Sequence, residues 1–87
     1  MAAIIMKHRV ADYNTWKKAF DEDQDRRTAA GIRELAVGKS QDDAGVAYVI
    51  ADLADASVMG LMMEDKELQQ RMQDAGVQGP PEIVILN

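Results

Sequence analysis

The sequence predicts an α+β domain, a four-stranded antiparallel sheet covered by helices on one side, in the order strand, helix, strand, strand, helix, strand. Three observations predict it. A short apolar strand runs into an amphipathic helix through a single acidic residue, Asp12. A polar, glycine-flanked stretch from Gly38 to Gly45 separates two strand-like runs, as in a hairpin. Gly79, Pro80 and Pro81 end a second helical region and leave an apolar tail to return as a strand.

Ile4 to Val10 alternates, with Ile4, Met6, His8 and Val10 on one face and Ile5, Lys7 and Arg9 on the other. Asp12 stands where an N-cap belongs, its carboxylate able to accept from a free N–H of the first turn. Behind it Tyr13, Trp16, Ala19 and Phe20 recur at helical spacing, so the first helix should run from Tyr13 to Ala30. Gly31 suits the left-handed position after its end. Ile32 to Val37 and Val46 to Leu53 follow as the second and third strands. Asp55 caps a helical segment carrying Val58, Met59, Met62 and Met63, which Gly60 weakens, and Asp65 restarts a shorter helix through Leu68 and Met72 to Gly76. Glu82 to Leu86 is the last strand. This is the split βαβ, or ferredoxin-like βαββαβ, order, with the first and third strands in the middle of the sheet.

With 87 residues and neither repeats nor linkers, the chain reads as a single domain over residues 1–87. A domain this small buries only roughly 60% of the surface its unfolded chain exposes. Cysteine is absent, which removes disulfides, thiolate metal sites and thiol chemistry. Extra burial is then expected from a second subunit. The sheet pattern agrees, because Val46, Tyr48 and Ile50 oppose Ala47, Val49, Ala51 and Leu53, and Ile83 to Leu86 is apolar without a break. Helices cover one face of such a sheet, so a homodimer packed face to face would cover the other.

A net charge of −5 disfavours nucleic acid and anionic membrane as partners, since both call for clustered Lys and Arg. The apolar run from Ala2 to Met6 is too short for a signal-peptide core or a membrane span, which makes a cytoplasmic location the default expectation. A lone histidine argues against zinc. No glycine-rich phosphate loop, serine nucleophile motif or close-spaced carboxylate and histidine set is present, so no cofactor and no metal are expected.

The candidate site residues begin on the first strand. Lys7, His8 and Arg9 are adjacent on what should be a central strand, where charges need partners. They could line a cavity for an anionic or phenolic ligand, or Lys7 and Arg9 could pair with Glu34, Asp52 or Glu82. His8, with an ordinary pKa of about 6.5, could act as a general base, or be a hydrogen-bonded structural histidine. Trp16 and Phe20 form a core-facing stripe that continues into Asp23, Gln24 and Arg27. A helix face that begins aromatic and ends polar suits a pocket with one wet end, or a helix whose second half lies at the domain edge. Tyr48 could orient a ligand or close a dimer contact. Met59, Met62, Met63 and Met72 could pack an irregular ligand or simply fill the core.

The run Lys7-His8-Arg9-Val10-Ala11-Asp12-Tyr13, with Trp16-Lys17 and Phe20-Asp21 behind it, resembles the dimeric α/β-barrel superfamily. More closely, it is similar to small bacterial proteins grouped with antibiotic biosynthesis monooxygenase-like domains. Glu67-Leu68, Met72, Ala75-Gly76-Val77, Gly79-Pro80 and Pro81-Glu82 carry the likeness to the far end. The resemblance implies a homodimer. Its characterised members include cofactor-independent monooxygenases of polyaromatic phenols, polyketide cyclases, haem-degrading enzymes and lactone isomerases. Haem-degrading members place a histidine on the second helix, whereas His8 lies on the first strand; many close relatives carry a histidine mid-helix where this chain has Asp23. The implied activity is cofactor-free oxygenation or rearrangement of a small aromatic or polyketide-like molecule, with His8 taking a proton and Trp16, Phe20, Asp23, Arg27 and Tyr48 shaping the site. The alternative is a non-catalytic dimer that binds a small ligand or a partner.

Overall fold

The computed structural model describes residues 2–87. Its elements are β1 (Ala2–Arg9), α1 (Tyr13–Glu22), α2 (Gln24–Ala29), β2 (Ile32–Lys39), β3 (Val46–Leu53), α3 (Val58–Glu64), α4 (Lys66–Asp74) and β4 (Glu82–Leu86). The sheet is antiparallel with strand order β2-β3-β1-β4, so the first and third strands are central, as the ferredoxin-like order requires. The register sets the faces. Ile4 pairs with Ala51 and Ile85, Met6 with Val49 and Ile83, and His8 with Ala47, all on the side the helices cover. Ile5 pairs with Ile50 and Val84, and Lys7 with Tyr48 and Glu82, on the open side.

Alanines at positions 47 and 51, fully buried, let the helices approach the middle of the sheet closely. Two apolar clusters result. One gathers Ile4, Ile32, Ala51, Leu53 and Met59, the other Val10, Trp16, Ala47, Val49 and Ala75. Met6 packs against both.

Asp12 caps α1 as its position predicts, its Oδ2 accepting from the Thr15 hydroxyl at 2.7 Å and from the Thr15 N–H at 2.9 Å. Those two hydrogen bonds hold its carboxyl below the usual range. Gly31 takes the left-handed conformation at φ 79°, where an added Cβ would sit 3.1 Å from the Ala54 Cβ, so both strain and crowding select glycine there.

One expectation is corrected. The helix expected to be continuous from Tyr13 to Ala30 breaks at Asp23, whose φ of −94° and ψ of 15° leave the helical region and make it the cap of both α1 and α2. A bulge between Glu34 and Ala36 then breaks the alternation of β2. It sets Glu34 on the helix side, opposite Ala51, while Val37 also faces that side opposite Val49, and it leaves Leu35 exposed.

Candidate functional site

Between the helices and the sheet lies a cavity of about 610 Å³. Met6, His8 and Ile83 bring the sheet to it, Trp16, Ala19 and Phe20 line it from α1, and Met59, Met62 and Met72 line it from α3 and α4. Its polar end is formed by Asp23, Arg26, Arg27 and Arg71. Unbranched methionine side chains on one side and flat rings on the other suit a planar apolar guest.

His8 is placed there by the parity of β1, two residues from Met6 on the helix side, and is only 7% exposed. Burial pushes its pKa down from 6.5 to about 4, so the ring is neutral at pH 7. Its Nδ1 is buried with no hydrogen-bond partner among the described residues. A neutral imidazole nitrogen in that position is either a donor or an acceptor left without its complement, and an unmet polar group is costly.

An aromatic column extends from the histidine. The His8 and Trp16 ring centroids are 5.7 Å apart, Trp16 and Phe20 stack at 5.0 Å, and the Arg27 guanidinium lies 3.5 Å from the centre of the Phe20 ring. Spacing along α1 makes this possible, because Trp16 and Phe20 are one turn apart. Arg27 is buried, and each of its three nitrogens is engaged by the fold: Nε donates to Glu34 at 2.7 Å, Nη1 to the Phe20 carbonyl at 2.6 Å and Nη2 to Gln24 at 3.2 Å. It lines the cavity, where it is a brace for Phe20 more than a free anion receptor.

His8, Trp16, Phe20, Asp23 and Arg27 thus line one cavity. Tyr48 does not join them. It faces the open side of the sheet, paired with Lys7, and is 36% exposed, away from this cavity and on the face where the other sequence alternative, a dimer contact, would put it. The charges flanking His8 are accounted for by pairing. Lys7 meets Glu82 at 3.7 Å, as one of the sequence alternatives held, while Arg9 turns to Asp43 at 3.4 Å; Glu34 and Asp52 go instead to Arg27 and Arg33.

Residues that the sequence did not single out for the site complete the polar end. Arg26, Asp65, Glu67 and Arg71 form a cross-linked group of ions there with Asp23. Only the spacing of Glu67 and Arg71, four apart on one helix, hinted at it. Among the described residues no group of three or more His, Cys, Asp or Glu could hold a metal ion, and no helix is long and apolar enough to cross a membrane.

No family model matches the sequence, and no curated protein matches it with significance. Solved structures do. A protein from Bordetella bronchiseptica described as a candidate antibiotic biosynthesis monooxygenase shares the fold at a TM-score of 0.77 and 12% identity, over 99% of this chain and 94% of that one. A protein from Nitrosomonas europaea of the same description matches at a TM-score of 0.68 and 15% identity, over 100% of this chain and 97% of that one. SnoaB, a cofactor-independent oxygenase from Streptomyces nogalater, matches at a TM-score of 0.71 and 11% identity, over 99% of this chain and 90% of that one. The chain therefore has the antibiotic biosynthesis monooxygenase-like fold that its first strand and helix resemble.

Proposed function

We propose that the cavity binds a small planar hydroxyl-bearing aromatic or polyketide-like molecule, with its hydroxyl on His8, and that the protein oxygenates it without a cofactor. The observation that carries this reading is the buried imidazole of His8, which lines the cavity at the head of the Trp16–Phe20 column. In this scheme O₂ is the oxidant and the substrate the reductant: an activated CH₂ becomes a carbonyl, one oxygen atom is incorporated and the other leaves as water. His8 receives the hydroxyl proton, which is the step that makes the ring electron-rich.

The pKa of about 4 limits how His8 does so. Moving a proton to it from a phenol of pKa near 10 costs roughly 8 kcal/mol. A turnover of about one per second corresponds to a total barrier of roughly 17 kcal/mol, so the transfer fits within the reaction but consumes half of it. An acidified hydroxyl conjugated to a carbonyl fits better than a simple phenol.

Calorimetry with 2-naphthol and 2-methoxynaphthalene tests the binding half. The naphthol should bind about tenfold more tightly, as one hydrogen bond to a buried acceptor predicts, and His8→Leu should erase the difference. Equal affinities in the parent protein would remove His8 from recognition. Oxygen uptake with an anthrone tests the chemistry; binding without uptake would leave a non-catalytic ligand-binding dimer, a reading that the weak basicity of His8 favours.

A second copy is proposed to cover the open face of the sheet. Ile5, Ile50 and Val84 lie in one row across three strands, and Ile50, Val84 and Leu86 are 39%, 53% and 51% exposed. Such a stripe is what an obligate interface looks like from one side. Sedimentation should find a dimer, and Ile50→Lys, which would bury an unpaired ammonium in each subunit, should weaken it by roughly thirtyfold or more. A parent protein that sediments as a monomer would overturn the proposed assembly.

A further inference from the structure

The helices form two pairs, α1 with α2 and α3 with α4, and each pair is interrupted by one aspartate. Asp23 caps the junction of α1 and α2; Asp65 caps the junction of α3 and α4. Each junction is held by an arginine from the opposite pair. Arg71 of α4 donates to Asp23, and Arg26 of α2 donates to Asp65 at 3.3 Å. Glu67 ties the two arginines together, accepting from Arg26 at 3.0 Å and from Arg71 at 3.3 Å. Asp23, Arg26 and Arg71 all line the cavity.

We propose that this reciprocal strap is the gate of the cavity, opened when Arg71 leaves Asp23 and Arg26 leaves Asp65, and that it admits uncharged molecules over anions. The proposal rests on the reading of the cavity as a ligand site. Arg26 and Arg71 keep 30% and 49% of their side-chain surface in contact with solvent, and partly exposed ion pairs are individually weak, so the strap can part without disturbing the apolar walls. The interrupted helices supply hinges at their ends. Three carboxylates face two guanidiniums, so the arginines are spent on the protein's own acids and hold no surplus positive charge for an anionic guest.

Trp16 makes the gate measurable without any ligand. It is the chain's only tryptophan, lines the cavity and is 4% exposed, so quenching of its fluorescence reports entry. In the 87-residue chain, neutral acrylamide should quench Trp16 about threefold more effectively in Arg71→Gln or Asp23→Asn, and in the parent protein at molar salt, than in the parent at low salt. The charge-exchanged pair, Asp23→Arg with Arg71→Asp, should restore low quenching, which a merely destabilised fold would not do. Iodide should remain a poorer quencher than acrylamide throughout. Unchanged acrylamide quenching in the folded variants and in salt would overturn the gate; should the variants not fold, the salt dependence of the parent decides alone. Equal quenching by iodide would overturn the charge selection. Gate behaviour as expected, with no binding of 2-naphthol, would leave the gate standing and refute the ligand reading instead.

Discussion

Replacing Arg27 with alanine is expected to cost about 3–5 kcal/mol of stability, because it leaves the Glu34 carboxylate buried without its counter-charge. The two side chains are only 7% and 13% exposed, so solvent cannot take over the role of the missing partner. Three hydrogen bonds and the contact with the Phe20 ring go at once. A domain of 87 residues has a total stability of about 4–13 kcal/mol, so the loss is roughly a quarter of it at the least. Urea denaturation followed by Trp16 fluorescence measures it directly.

The companion experiment separates a stabilising pair from one that is merely indispensable once present. Glu34 Oε2 is buried with no partner among the described residues, so the carboxylate is not fully repaid for leaving water. Arg27→Met combined with Glu34→Leu removes both charges and keeps the volume. That double variant should be as stable as the parent or more so, while each single charge deletion is strongly destabilising. A double variant as unstable as Arg27→Ala would mean that the pair contributes net stability through its geometry.

The same residues explain what could be read from the sequence and what could not. The order of elements, the Asp12 cap and the central position of the first and third strands were legible because each rests on local signals: alternation, a carboxylate at a helix start, glycine and proline stops. So was the Trp16–Phe20 stripe, since helical spacing aims those side chains one way, whereas its continuation to Arg27 stayed open between a pocket and the domain edge. The break at Asp23 carries no glycine or proline. It coincides with a contact from Arg71, 48 positions away, and no local pattern announces such a contact. The bulge at Leu35 is likewise a pairing event, visible only when β2 is laid against β3. The role of Tyr48 stayed open between ligand and dimer contact for a different reason. Both faces of β3 are apolar, so alternation separated Tyr48 from Ala47 and Val49 without saying which set the helices cover. The small residues at 47 and 51 were the available signal, because helices approach a sheet where side chains are short.

Lowering the pH from 7 to 4 is expected to remove roughly 3 kcal/mol of stability through His8 alone. Unfolded, the imidazole binds a proton below about 6.5; folded, it resists until about 4. Between those values the unfolded state holds more protons than the native state, so stability falls as pH falls, with a slope of up to about 1.4 kcal/mol per pH unit. Asp12 and Asp55 act lower down. Their carboxyls are held below 3.8 by hydrogen bonds from Thr15 and Ser57, so what they contribute is present above that value and lost only beneath it. Urea midpoints measured from pH 7 to 4.5 therefore lie above the range in which those two carboxyls act, and His8→Gln should flatten the profile there. A parent profile that is already flat would mean that the ring is hydrated and titrates near 6.5.

The position of that titration also decides what His8 can do for a guest. A hydroxyl that donates to the imidazole favours the neutral ring, so ligand affinity should be constant from pH 8 to 5 and fall only as pH approaches 4. A general base of ordinary strength would give turnover rising through pH 6.5 instead. Turnover with its inflection near 4 would place a weak, buried base in the reaction and require the substrate to bring an acidic hydroxyl of its own. The cavity would then select its guest by acidity, through the same burial that makes His8 costly to protonate.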